Sequence, residues 1–271
     1  MKARLLLLSR AAAVFAACLL PAAAAHAEGP AADWQGFYAG VAVGGRFAVN
    51  EWMTTGVCPT STLCVGGPGL DDRQQGFDST GLRIGAFAGH NWTVAGSWLA
   101  GLELDLGWAN NRRANGPIPG TTNSGGIPAI TNGDTASVNL SWDAGLRARV
   151  GNLVLPDTLL FATWGLAVQR VETRATCNND AATLATYCTS PPGVAHDESI
   201  EQFLFGWTVG GGVEHRMAGS WLVRAEYRYA DFGNVGAAFF SRNVGVGGDD
   251  RVWANVHVRT HTVNLGLAYR F

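Results

Sequence analysis

From residue 34 onward, apolar and polar side chains alternate one for one in eight separate stretches. Phe37, Ala39, Val41, Val43 and Phe47 alternate with Tyr38, Gly40, Ala42, Gly44 and Arg46. Leu82, Ile84, Ala86 and Ala88 alternate with Arg83, Gly85, Phe87 and Gly89. Trp98 to Trp108 carries Leu102, Leu104 and Leu106 on one parity and Glu103, Asp105 and Gly107 on the other. Val138, Leu140, Trp142, Ala144, Leu146, Ala148 and Val150 form a fourth stripe, opposed by Asp143, Gly145, Arg147 and Arg149. Four more stripes follow: Leu160 to Val168, Phe203 to Val213, Trp221 to Tyr229, and Val263 to Phe271. Side chains on a strand point alternately to opposite faces, so a period of two held this long predicts eight strands.

The connections also alternate in length. Residues 93–97, 151–157 and 216–220 are short. Residues 50–79, 109–137, 172–200 and 233–257 each span about 25 to 30 residues. Structureless loops of that length are rare in a compact soluble domain. Short turns at one end and long loops at the other characterise membrane-spanning barrels. The tract 115–134, rich in Gly, Pro, Thr and Asn, has too little apolar content to build a core and is expected to be mobile.

Alternation does not say which face is outside. A soluble sandwich would show the same period with its apolar face inward. The aromatic residues favour the membrane. Trp34, Phe37, Trp92, Trp98, Trp221 and Phe271 mark the short-turn ends of the stripes. Phe47, Trp108, Phe203, Tyr229 and Phe232 mark the long-loop ends, which predicts two interfacial girdles. The polar stripes mix Gly and Ala with a few long charged residues: Arg46, Arg83, Glu103, Asp105, Asp143, Arg147, Arg149, Glu214, Arg224, Glu226, Arg228 and Arg270. A narrow bore overfills if every lining residue is large, so small residues beside paired charges fit its interior. The expected fold is therefore all-β: an eight-stranded antiparallel transmembrane barrel with short periplasmic turns and long external loops.

Composition adds an export route. Lys2, Arg4 and Arg10, the apolar runs 5–8 and 11–20, and the small-residue site Ala25-His26-Ala27 predict a signal peptide over 1–27 and a barrel over 28–271. Without it the 271-residue chain keeps 16 basic against 21 acidic residues and no lysine, which argues against nucleic acid as a partner. Cys58, Cys64, Cys177 and Cys188 remain. An even count in an exported chain predicts disulfides, and of the three connectivities Cys58–Cys64 with Cys177–Cys188 keeps each pair within one loop.

Several motifs resemble a known family. Trp34-Gln35-Gly36-Phe37-Tyr38-Ala39-Gly40 is similar to the first strand of the outer membrane immunogenic proteins, relatives of opacity-type porins and of the OmpA membrane domain. Gly206-Trp207-Thr208-Val209-Gly210-Gly211-Gly212-Val213-Glu214 and Glu226-Tyr227-Arg228-Tyr229 resemble its sixth and seventh strands. His261 to Phe271 resembles its last strand, with Tyr269 and Phe271 as the terminal signal read by the outer-membrane insertion machinery. The resemblance implies a Gram-negative outer membrane and a role in surface architecture and antigenicity. It covers the strands and not the loops.

Candidate chemistry is sparse. His257 and His261 would share one face of a helix, but on a strand they stand about 13 Å apart and cannot chelate together. His90 and His215 fall at short-turn ends. Asp71-Asp72 and Asp249-Asp250 offer too few oxygens for a hard cation. Gly210-Gly211-Gly212 lies inside a strand and lacks the helix N-terminus of a phosphate loop. No cofactor, metal or catalytic group is expected. The expected partners are outer-membrane lipid and lipopolysaccharide, the insertion machinery, and a surface or host ligand the sequence does not name. A structural and surface-interaction barrel is the leading reading, a small porin the second and a lipid-directed enzyme the third. Gly101, Gly107, Gly145, Gly206, Gly210 and Gly212 favour the porin, because they thin the lining and would leave space for water.

Overall fold

The computed structural model describes residues 34–60, 63–66, 70, 73–111, 116–120, 135–177, 196–240, 244–245, 248–249 and 251–271. The expected signal peptide lies outside them. Eight long strands form an antiparallel ring: β1 Gly36–Thr60, β2 Ser79–Ala95, β3 Trp98–Asn111, β4 Thr135–Leu155, β5 Thr158–Cys177, β6 His196–Arg216, β7 Trp221–Phe239 and β8 Arg251–Arg270. Each pairs with its neighbours in sequence, and β8 returns to β1 from Tyr38↔Arg270 to Cys58↔Arg251, which closes the wall. Tight turns join β2 to β3, β4 to β5 and β6 to β7. Gly96 at φ 54° and Gly219 at φ 67° supply the left-handed backbone that two of them need.

Six of the eight strands are about twice as long as a bilayer requires; β2 and β3 end near its outer boundary. Along β8 the outward positions from Phe271 up to His261 climb ten residues, about 33 Å of strand and about 25 Å along the membrane normal at the usual tilt. Phe271, Leu267, Leu265 and Val263 on this stretch are exposed. From His261 the strand continues another ten residues to Arg251, so a head of similar height stands above the membrane layer.

In that head the polarity of the wall is reversed. Above Val168, β5 turns Arg170, Glu172 and Arg174 outward and Val171, Thr173 and Ala175 inward. Inward residues from β1, β4, β5, β7 and β8 form one apolar core, which includes Trp52, Val138, Leu140, Val171, Phe239, Val252 and Val256. Phe77 and Ile118 join it from the connections, and Trp52 stacks on Phe239 with centroids 5.5 Å apart. The wall is completed by Gln74–Gly76 and Leu63–Gly66, both paired to β1, and by a bridge between Gly116 and Ala136. Water replaces lipid outside the head, so the apolar side chains can only be buried inward.

This reversal corrects several expectations. The long connections are shorter than 25 to 30 residues: β7 runs to Phe239 and β8 starts at Arg251, while β5 runs to Cys177 and β6 starts at His196. Val138 and Leu140 do not continue the lipid-facing stripe of Trp142. A register shift between Leu140 and Asp143 moves them inside, where both are buried. Phe232 is likewise in the core and not in the outer girdle. The β7–β8 register slips by one residue after it, at Gly233, whose φ of 67° suits a bulge. Trp34 is buried at the bottom of the bore and takes no part in the periplasmic girdle. The tract expected to be mobile contributes Ile118 to the core, and its residues 115 and 121–134 lie outside the described ones. The expected disulfides also lie outside them, because no side chain of Cys58, Cys64 or Cys177 is described and nothing of Cys188 is.

Candidate functional site: the charged bore

Inside the membrane layer the inward positions carry the charges that the alternation placed on the polar parity. Arg46, Arg83, Arg147, Arg149, Arg224 and Arg228 meet Glu103, Asp105, Asp143, Glu214 and Glu226 in one continuous network, and ten of these eleven residues are buried. At its outer end Arg46 binds Asp143 (2.8 Å), Asn111 Oδ1 (2.7 Å) and the carbonyls of Leu140 and Ser141. Asp143 also accepts from Arg83 (2.5 Å), which reaches Asp105 at 2.9 Å. Asp105 is shared with Arg228 (2.7 Å) and Arg147 (3.5 Å). Arg147 joins Glu226 at 3.1 Å and Glu103 through a short contact. Glu103 in turn forms an ion pair with Arg224 at 2.6 Å, and Arg224 and Arg149 share Glu214.

Residues not singled out by charge complete the site. The Tyr38 hydroxyl donates to Glu103 (2.8 Å) and accepts from Arg149 (3.1 Å). Phe87 and Phe161 project inward from the polar stripes of β2 and β5, and their rings lie 4.2 Å from the Arg224 guanidinium carbon and 4.1 Å from that of Arg149. Gln169 accepts from Arg46 at 3.1 Å. The alternation put Tyr38, Phe87 and Gln169 on the inward parity. An aromatic in an otherwise small or charged stripe was the available sign that it serves the network.

Both ends of the network are apolar. On the periplasmic side Trp34, Leu99, Leu159 and Leu222 pack with Tyr38 and Phe87, and the Trp34 indole donates to the Pro156 carbonyl at 3.3 Å. On the outer side Leu140 and Ala48 begin the core of the head. Arg270 stands apart from the network near the periplasmic mouth, where it donates to the Gln35 carbonyl at 3.4 Å. Several bore glycines lie directly against large side chains. A Cβ at Gly107 would fall 2.2 Å from Arg83 Nη2, one at Gly145 2.7 Å from Asp105 Oδ1, and one at Gly212 2.9 Å from Phe161 Cζ. At these three positions the space of the missing side chain is taken by a large one opposite.

Of the remaining candidates, His257 and His261 both face outward and have separate partners, Asp231 and Tyr227. His215 Nδ1 lies 3.0 Å from the Thr158 hydroxyl at the periplasmic end, and His90 packs edge-on against Phe37. Tyr269 packs edge-on against Trp221 and Phe271 in the periplasmic girdle. Asp249 has no described side chain, and Asp71, Asp72 and Asp250 lie outside the described residues. Among the described residues no group of three or more His, Cys, Asp or Glu side chains is arranged to hold a metal.

The chain is similar to several known proteins. Residues 11–271 match the family described as outer membrane protein beta-barrel domain. The 31 kDa outer-membrane immunogenic protein of Brucella melitensis is 27% identical over 209 residues, covering 74% of this chain and 73% of that protein. The 22 kDa outer membrane protein of Rhizobium leguminosarum is 27% identical over 243 residues, covering 89% and 80%. Among solved structures, OprG of Pseudomonas aeruginosa is similar over 88% of this chain and 98% of its own, with a TM-score of 0.47 and 10% identity. Ail of Yersinia pestis is similar over 88% and 100%, with a TM-score of 0.35 and 10% identity. The chain belongs to the outer membrane protein beta-barrel domain family, and its place is the outer membrane of the cell.

Proposed function

We propose that this protein is a sealed barrel that anchors a folded head at the cell surface, where the head provides surface architecture and contacts with partners. The observation that carries this reading is the bore, filled by a paired network between an apolar floor and the apolar core of the head. An open channel needs water along its axis, whereas each of these charges is ion-paired with at least one opposite charge across the bore. The names of the Brucella relatives, outer-membrane immunogenic proteins, support exposure of the head to the outside. No catalytic step is proposed. Tyr269 and Phe271, on the lipid-facing parity of the closing strand, are the proposed contact with the insertion machinery.

Planar-bilayer recording on the purified protein tests the seal. Wild type is expected to give a flat baseline, and Glu226→Ala transient small openings, since the change takes one carboxylate from Arg147 and Arg228 and leaves space in the bore. A stable, long-lived open level in the wild type would replace the sealed reading with a small porin.

A further inference from the structure

The outer rim of the barrel is not uniform. At this height the outward positions of β1, β3, β4 and β6 are Phe47, Trp108, Trp142 and Phe203, all exposed and suited to lipid. On β7 and β8 the same belt ends in a hydrogen-bonded polar cluster. Tyr227 Oη lies 2.7 Å from His261 Nδ1, and the Tyr229 ring packs on His261 at 5.1 Å. One step higher, Tyr229 donates to Asp231 (3.2 Å), and Asp231 lies 3.0 Å from His257 Nε2. Between the two histidines Arg259 is held by Glu51 at 2.5 Å through one terminal nitrogen. Its Nε is buried and makes no hydrogen bond among the described residues.

Ionisable side chains on a lipid-facing wall are costly at the bilayer centre and cost little at its boundary, where they can reach headgroups. This cluster begins about 25 Å above Phe271, the height at which acyl chains give way to headgroups. It is continuous below with the lipid-facing stripe of Val263 and Leu265, so the molecule that covers the stripe with its chains meets the cluster with its headgroup. Arg259, partly committed to Glu51, keeps donors whose planar fork matches a phosphate. The tyrosines present ring faces and hydroxyls, which suit a sugar ring better than a small zwitterionic headgroup.

We propose that the β7–β8 face binds the phosphorylated saccharide headgroup of an outer-leaflet glycolipid, with Arg259 and His257 at its phosphate and Tyr229 and His261 at its sugar. The inference rests on the outer-membrane location alone and is independent of whether the bore is sealed.

Native mass spectrometry on the full protein extracted from its membrane tests this. The probes are bisphosphorylated lipid A, monophosphorylated lipid A and phosphatidylglycerol, each added separately. One bisphosphorylated lipid A should be retained per barrel, more tightly than the monophosphorylated form and much more tightly than phosphatidylglycerol. Arg259→Gln with His257→Gln should weaken retention about tenfold or more. Arg170→Gln, whose ion pair with Glu201 lies on β5 and β6, should leave it unchanged. A heat-modifiable gel shift verifies folding. If the double variant does not fold, His261→Leu decides by the same readout. Equal retention of phosphatidylglycerol, equal losses in Arg170→Gln, or unchanged retention in the β8 variants would overturn the proposal. Release of fatty acid or phosphate from the probe would replace binding with chemistry.

Discussion

The membrane layer is built from eight strands and the head from the continuations of six of them, with opposite polarity. Below His261 the apolar residues face out and the bore holds charge, while above it Trp52, Val171 and Val256 face in and Arg170, Arg174 and Glu201 face out. The difference follows from the solvent. Lipid outside removes any gain from burying apolar groups inward, so the interior can hold an ion network whose members satisfy one another. Water outside restores the hydrophobic gain, and the interior becomes an ordinary core.

The sharpest way to break the comparison is to make the corresponding defect in each layer. Glu103→Ala removes the carboxylate shared by Arg147 and Arg224 and should destabilise the barrel by about 3–5 kcal/mol, because it breaks two buried ion pairs and leaves an excess of positive charge in the bore. Trp52→Ala should cost about 3–5 kcal/mol by a different route, the cavity left beside Phe77 and Phe239. Urea unfolding in detergent measures both. Limited proteolysis separates them: the Trp52 variant should be cut within the head while the membrane layer stays protected, and the Glu103 variant should lose protection throughout.

A charge on the outer face probes the same boundary. Leu166→Arg, on the lipid side of β5, should cost about 2–4 kcal/mol if it lies near the bilayer midplane. Asn234→Arg, exposed on the head, should stay within about 0.5 kcal/mol. Equal costs from folding titrations into vesicles would place the boundary elsewhere. Gly107→Ala should cost about 1–3 kcal/mol, because its Cβ must displace the Arg83 guanidinium from its pairing with Asp105 and Asp143.

The smallest effect belongs to the surface of the head. The hydrogen bond from Arg174 holds the Asp197 carboxyl below its usual pKa, against the opposing effect of its slight burial. A lowered folded-state pKa adds stability above the unfolded value, which is lost as pH falls through the folded one. The pair is exposed, so solvent screening keeps its contribution small. The melting difference between wild type and Asp197→Asn should therefore be slight at pH 7 and vanish in the acid range below the ordinary carboxylate pKa. A difference that persists there would mean that Asp197 acts through packing and not charge.

The membrane layer was legible residue by residue, because one parity of each stripe carried the lipid-facing side chains and the other carried the charges of the bore. The head was not. Past Val168 the apolar residues move to the other parity, and a search for one continuous apolar stripe reads such a segment as loop. In β4 the shift at residues 141–142 keeps Val138, Leu140 and Trp142 on the same sequence parity while turning the first two inward, so the stripe looked unbroken. Phe232 lies on the inward parity with Glu226, Arg228 and Ala230, so its own register placed it inside and only its aromatic character suggested the girdle.

By itself the sequence determined the strand count, the antiparallel order and which residues near the membrane face inward, since alternation and short turns are local properties. Tertiary structure decided which charges meet which, how the bore glycines are filled, and where the strands stop. Those outcomes depend on closure of the ring, which brings Arg46 of β1 to Asp143 of β4, and Arg228 of β7 to Asp105 of β3, across a bore that no local pattern describes.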